Sequence, residues 1–267
     1  MATTRALLRA PWSSSKIQTA LRCPREFHYK YVDRLAELET MPDTRIGKAI
    51  HVAIEQALGG LPPEQAALVA RGGLEEGDAE RFQALCAAIG PFLDRMASFR
   101  QRRRVNRQLV EFELAVREDM SPTHFHAGDA LFRGICDAGF LYDDTQLAII
   151  DHKTGFRVAS HRIAEQLQGY AVLGSAHFRG IRRIWLGVHW VADAEVEWSQ
   201  PIGHQDVRER YQGALLNNIE AAALAVDDGP RPEPGLWCGR CGYRSICPTA
   251  YEARYEPVDD ELEDPFE

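Results

Sequence analysis

The sequence contains no run approaching the ~18 consecutive apolar residues of a membrane-spanning helix, so no such span is expected. Its opening residues, MATTRALLRAPWSSS, hold too short an apolar stretch for a secretory signal. The expectation is a cytoplasmic protein with no membrane association. In that reducing setting the six cysteines point to metal binding or burial rather than to disulfides. An excess of positive charge is also missing. At −8 the chain does not read as one that coats nucleic acid non-specifically. The deficit is local: residues 256–267 carry seven acidic side chains and no basic one, and without them the remainder stands near −1. That segment has the composition of a disordered, solubilising tail. In contrast, Arg100, Arg102, Arg103, Arg104 and Arg107 form a basic cluster, read first as a solvated face and otherwise as a contact for phosphates.

The length, 267 residues, suits one elaborated domain or two small ones. The chain is organised around residues 131–155. Two apolar runs flank the polar turn Tyr142-Asp143-Asp144-Thr145-Gln146 and read as an antiparallel hairpin. Asp137 lies inside the first strand, with Asp151 and Lys153 at the end of the second. Alternation puts Asp151 and Lys153 on one face and His152 on the other. Carboxylates and an ammonium in apolar strands destabilise them unless partnered, and a divalent cation held by the carboxylates would be such a partner. A lone D-x-K is more often a satisfied ion pair.

Around the hairpin, residues 44–58 read as an amphipathic helix with Gly47, His51 and Glu55 on one face. A single helical histidine is usually structural. Glu55 would orient the imidazole or face solvent. Residues 64–71 and about 78–99 read as helices, and 109–117 as a strand whose polar face carries Glu111 and Glu113. Either glutamate would face the metal or, at least as readily, solvent. Residues 159–173 read as a helix with Gln166 and Tyr170 four apart, 183–191 and 195–198 as strands, and 205–226 as a long helix. After the Pro/Gly-rich stretch 227–235 comes Cys238-x2-Cys241-x5-Cys247-Pro248. Three close cysteines in a reduced compartment signal metal and call for a fourth ligand, for which Cys23-Pro24 is the candidate. Cys86 and Cys136 read as core.

Taken together, Gly134-Ile135-Cys136-Asp137, Asp151-His152-Lys153-Thr154-Gly155 and Gln166-Leu167-Gln168-Gly169-Tyr170 resemble the PD-(D/E)XK nuclease superfamily, and more narrowly its RecB-like exonucleases. The resemblance spans Ser13 to Pro248 and is weakest over 59–108. It implies an α/β fold with a restriction-endonuclease-like core, a mixed central sheet of about five strands flanked by helices. It also implies Mg2+ or Mn2+ held by His51, Asp137, Asp151 and the His152 carbonyl, with Lys153 positioning the attacking water. Gln166 and Tyr170 would steady Lys153 or the scissile strand. The cysteine order resembles the iron–sulfur exonucleases of that group, among them CRISPR-adaptation and AddB-type nucleases. A 4Fe–4S cluster on Cys23, Cys238, Cys241 and Cys247 would then clasp the chain ends, with Zn2+ as the alternative that spacing leaves open.

The expected organisation is an N-terminal segment 1–43, a nuclease core 44–226 with a helical insertion at about 59–108, a cysteine-rich segment 227–255 and the tail 256–267. The activity implied is that of a DNA exonuclease, 5′-to-3′, on single strands or DNA ends, in repair, recombination or CRISPR spacer processing. An integrase or a helicase is the implied protein partner. A DNA-binding or assembly module with an idle nuclease site is the alternative.

Overall fold

A computed structural model describes residues 11–38, 41–155, 157 and 161–249; the acidic segment 256–267, expected to be disordered, lies outside the described residues. Ser13 caps the first helix, α1 (Ser14–Arg22), by accepting from the Lys16 N–H at 3.3 Å, as a hydroxyl before an apolar-periodic run should. A short α2 (Pro24–Phe27) follows, with proline in its first turn. The amphipathic segment forms α3 (Pro42–Leu58), stopped at Gly59-Gly60. The segment that follows contributes α4 (Pro63–Ala70), α5 (Ala79–Cys86) and α6 (Ile89–Arg103). Here the expectation needs correction: the single helix read over 78–99 is broken after Cys86.

The sheet comprises β1 (Arg107–Val116), β2 (Pro122–Thr123), β3 (Phe132–Tyr142), β4 (Gln146–Lys153), β5 (Arg183–Trp190), β6 (Glu195–Trp198) and β7 (Ile202–Gly203). Their order is β2-β1-β3-β4-β5-β6, with β7 on β5. Five are substantial, as expected, and the two extra strands are two-residue pieces. Among the named strands only β4 and β5 pair in parallel, and the crossover between them is α7 (His161–His177). Short helical turns at His204–Asp206 and Val207–Tyr211 lead into α8 (Gln212–Asp227).

Strand alternation feeds two cores. Leu147 and Ile149 face α1, α7 and α8, whereas Ala148 and Ile150 face the helices α3 to α6. The result is a mixed sheet between two helical layers. No helix among the described residues is long and apolar enough to cross a membrane.

Two features of the sheet position the site. First, β3 and β4 pair only from Tyr142↔Gln146 to Ala138↔Ile150, while β4 continues beside β5 as far as Lys153↔Trp190. The sheet therefore forks past Ile150. Second, the basic cluster ends α6 at the other end of the sheet. Arg107 pairs with Leu141, which pairs with Leu147, six residues before Lys153, or roughly 20 Å at the rise of a strand.

Candidate active site

At the fork the Asp137 side chain does the work of the missing ladder. Its Oδ2 accepts from the His152 N–H at 2.6 Å, a charge-assisted bond that fastens β4 where β3 has departed. The helix α3 crosses this point, because Gly47 allows it close: a Cβ there would lie 3.1 Å from Thr154 Oγ1. His51, one turn on, donates Nε2–H to the His152 carbonyl at 3.0 Å and turns Nδ1 toward Asp137 Oδ1 at 3.5 Å. In that tautomer the neutral ring offers a lone pair to a carboxylate, an arrangement that calls for a proton or a cation between them. Both ring nitrogens are thus engaged without Glu55, which lines the same cleft as His51, Gly47 and Thr154.

Asp151 and Lys153 share the other face, as alternation requires. Asp151 Oδ2 lies 2.7 Å from Lys153 Nζ. Gln166 on α7 ties the pair together: its Oε1 accepts from Lys153 at 3.0 Å, and its Nε2 donates to Asp151 Oδ1 at 2.9 Å and to Tyr170 Oη at 2.8 Å. Gly134 lets α7 approach, since a Cβ there would meet the Tyr170 ring at 3.0 Å. The structure thus joins Asp151, Lys153, Gln166 and Tyr170 in one network and His51, Asp137 and the His152 backbone in another, side by side on adjoining strands.

Burial pushes the Asp151 carboxyl up to about 6, with Lys153 opposing and Asp137 reinforcing the rise. Burial also favours a neutral Asp137, but the hydrogen bond and charge of His51 overcome it and hold the carboxyl below its ordinary value. The His51 imidazole shows the converse: burial lowers it, and Asp137 outweighs that and raises it. The His152 ring, fully buried behind the strand, is lowered to about 4 by desolvation. It packs edge-on to Phe92 and meets His189 with Nδ1 to Nδ1 at 2.9 Å. This second histidine had no assigned role in the sequence. Phe92 stacks on it at 3.8 Å, and neither buried Nε2 has a hydrogen-bond partner.

The residue that sequence reasoning left undecided is Glu111. Its carboxylate, the Asp137 carboxylate and the His51 ring supply donor atoms all within 4.8 Å of one another. This oxygen-rich set with one imidazole suits Mg2+ or Mn2+. Desolvation, with Asp137 adding to it, pushes Glu111 up to about 7. Glu113, read as its equal, is exposed and stands 4.0 Å from His126.

At the far end of the chain, Cys23, Cys238, Cys241 and Cys247 line one pocket. All four are free thiols. Burial pushes the Cys241 thiol up to about 11, to which Glu26, Cys23 and Cys247 contribute. The backbone joins the two chain ends around this pocket. Arg25 N–H donates to the Arg231 carbonyl at 3.0 Å, Leu38 N–H to the Gly242 carbonyl at 3.0 Å, and Tyr243 Oη to the Leu35 carbonyl at 3.0 Å. Cys136 is wholly buried and Cys86 half-buried, each away from this group.

The sequence matches the family model of the PD-(D/E)XK nuclease superfamily over residues 11–248. No curated protein matches it. Among solved structures, one titled "Crystal structure of SSO0001" is similar to it at 15% identity with a TM-score of 0.41, covering 93% of this chain and 95% of that one.

Proposed function

The chain belongs to the PD-(D/E)XK nuclease superfamily, and from that premise we propose that it is a divalent-metal-dependent DNA exonuclease that works 5′-to-3′ on single strands or DNA ends. One observation carries the reading: the Lys153 ammonium is fixed between Asp151 and Gln166, beside the His51–Asp137 pair at the open fork of the sheet. His51, Asp137, Asp151 and the His152 carbonyl would hold the cation. When bound, Mg2+ or Mn2+ supplies Lewis-acid stabilisation of charge on phosphoryl and leaving oxygens. Lys153 orients the attacking water and steadies the negative charge that develops as the P–O bond breaks. Gln166 keeps the Lys153 side chain from swinging away, and Tyr170 fixes Gln166 in turn.

The four thiols facing one pocket suit a soft-ligand group. We assign to Cys23, Cys238, Cys241 and Cys247 a 4Fe–4S cluster, with Zn2+ as the alternative metal. The role is structural: these residues would fasten the N-terminal segment to the C-terminal one. Anaerobic purification distinguishes the two. Absorbance in the blue with bound iron and sulfide supports the cluster, whereas a colourless protein with stoichiometric zinc overturns it.

The nuclease reading is tested by hydrolysis of 5′- and 3′-labelled linear DNA, single- and double-stranded, with Mn2+, Mg2+ or EDTA, beside Lys153→Ala. Metal-dependent release of short products, absent in the variant, is expected, with the 5′ label lost first. Cleavage by Lys153→Ala at the wild-type rate would overturn the site assignment. DNA binding without cleavage under any metal would favour a binding module with an idle site. Copurification with an integrase or a helicase separates a role in CRISPR spacer processing from one in repair or recombination.

A further inference from the structure

We propose that Glu111 is a ligand of the divalent cation, standing with His51 and Asp137 on the side of the site away from Lys153. The proposal rests on the nuclease reading and deepens it. The donor atoms of the three side chains lie within 4.8 Å of one another. Glu111 is held there by the backbone. It lies within the ten-residue strand β1, yet its φ is +43°, a left-handed conformation that side chains with a Cβ rarely adopt. The pairing of β1 with β3 is broken at that point alone. Val110↔Ala138 and Phe112↔Cys136 are in register, and the intervening Glu111 and Asp137 do not pair. The distortion is what separates Glu111 from Glu113. In a regular strand the two carboxylates would share one face, but here only Glu111 turns into the fork.

Its surroundings ask for positive charge. The carboxylate is half-buried, its charged neighbours are Asp137, His51 and Glu55, and among the described residues no lysine or arginine pairs with it. Asp151 differs, because the Lys153 ammonium stands 2.7 Å from its Oδ2 and Gln166 donates to its Oδ1. A bent strand and two adjoining carboxylates are unfavourable without a partner and become favourable around a cation.

The test is Mn2+ binding to the full chain without DNA, by calorimetry and by loss of the free-ion electron paramagnetic resonance signal, for wild type, Glu111→Gln, Glu111→Gly and Glu113→Gln. Glycine accepts the positive φ without strain, so Glu111→Gly folds even if glutamine does not, and in EDTA it melts no lower than wild type. Both Glu111 variants should bind Mn2+ at least about 10-fold more weakly, as the loss of a metal-site residue commonly brings, and Glu113→Gln within about twofold of wild type. Wild-type affinity in Glu111→Gly overturns the proposal; if the wild type still cleaves DNA with Mn2+, the nuclease reading survives it. A wild type that neither binds Mn2+ nor cleaves with any metal overturns both.

Discussion

The two faces of β4 at its C-terminal end are built from consecutive residues and behave as opposites. On one face Asp151 and Lys153 are ion-paired and tied to Gln166 and Tyr170, and Lys153 keeps access to solvent. On the other, the His152 ring is sealed between Phe92 and His189 and takes no part in the polar network. His51 reaches the His152 carbonyl from the α3 layer, but the Asp151–Lys153 network is confined to one side of the strand. The opposite side serves as a dry backing that keeps the strand end, and the His152 carbonyl with it, from moving. Charge on the first face is tolerated because it is paired, and the second is tolerated because it stays neutral.

The contrast can be broken most sharply at Lys153. Lys153→Ala should lower DNA hydrolysis by about 10³-fold, within the range that positioned proton-handling groups contribute, while the far-UV spectrum stays close to wild type and the melting temperature falls at pH 7.5 because Asp151 loses its cationic partner. Next in size is Gln166→Ala. It leaves Asp151 and Lys153 in place but untethered and should cost about 10- to 100-fold in rate, as removal of supporting residues does. Restoring the rate with Gln166→Glu would argue that Oε1 alone is needed.

On the dry face the effects should fall on stability instead. His189→Ala leaves a cavity under the Phe92 ring and an unpartnered His152 Nδ1, so a loss of about 3 kcal/mol is expected, read as a melting temperature lower by about 10 °C. The rate, measured well below the melt, should change far less than in Lys153→Ala.

The smallest effect distinguishes the faces by pH. The Asp151 carboxyl is raised to about 6, so the folded state holds this proton more tightly than the unfolded chain. Its contribution to stability is greatest below the ordinary carboxylate range and is lost as pH rises through about 6. His152 has the opposite sign: lowered to about 4, it withdraws stability as pH falls below the ordinary imidazole value. In EDTA, Asp151→Asn should melt a few degrees above wild type at pH 7.5, and the gap should close as the pH approaches 4. A gap that widens on acidification would contradict the assignment.

Much of this site was legible because its spacing is local. The D-x-K pair on one face of a strand, and Gln166 and Tyr170 one turn apart on a helix, follow from the periods of strand and helix alone. The fate of Glu111 was not. Alternation makes Glu111 and Glu113 equivalent, and only the interrupted pairing opposite Asp137 separates them, a property of two strands that neither carries by itself. His189 was hidden for a similar reason. In RIWLGVHWV it reads as one more strand residue, and its partner lies 37 positions away. The break between α5 and α6 falls at Ala87-Ala88, residues that favour helix, but Gly90-Pro91 just beyond marks it locally: Pro91 cannot donate to the Ala87 carbonyl and fits only the first turn of a new helix. Cys238, Cys241 and Cys247 were legible together from their spacing, whereas the backbone bonds that bring Cys23 to them are tertiary.

The Asp137 carboxylate has a consequence for how variants at this site are to be interpreted. It serves as a rivet in the frame as well as a tool in the workshop: by accepting from the His152 N–H it holds together two strands that have otherwise parted company. An alanine at 137 would discard both duties at once, and a dead enzyme would say nothing about which had mattered. Asparagine can keep the rivet, since its carbonyl oxygen still accepts, while giving up the negative charge. A panel that contrasts Asp137→Asn with Asp137→Ala would therefore tell an idle machine from a dismantled one, a distinction that activity alone leaves blurred.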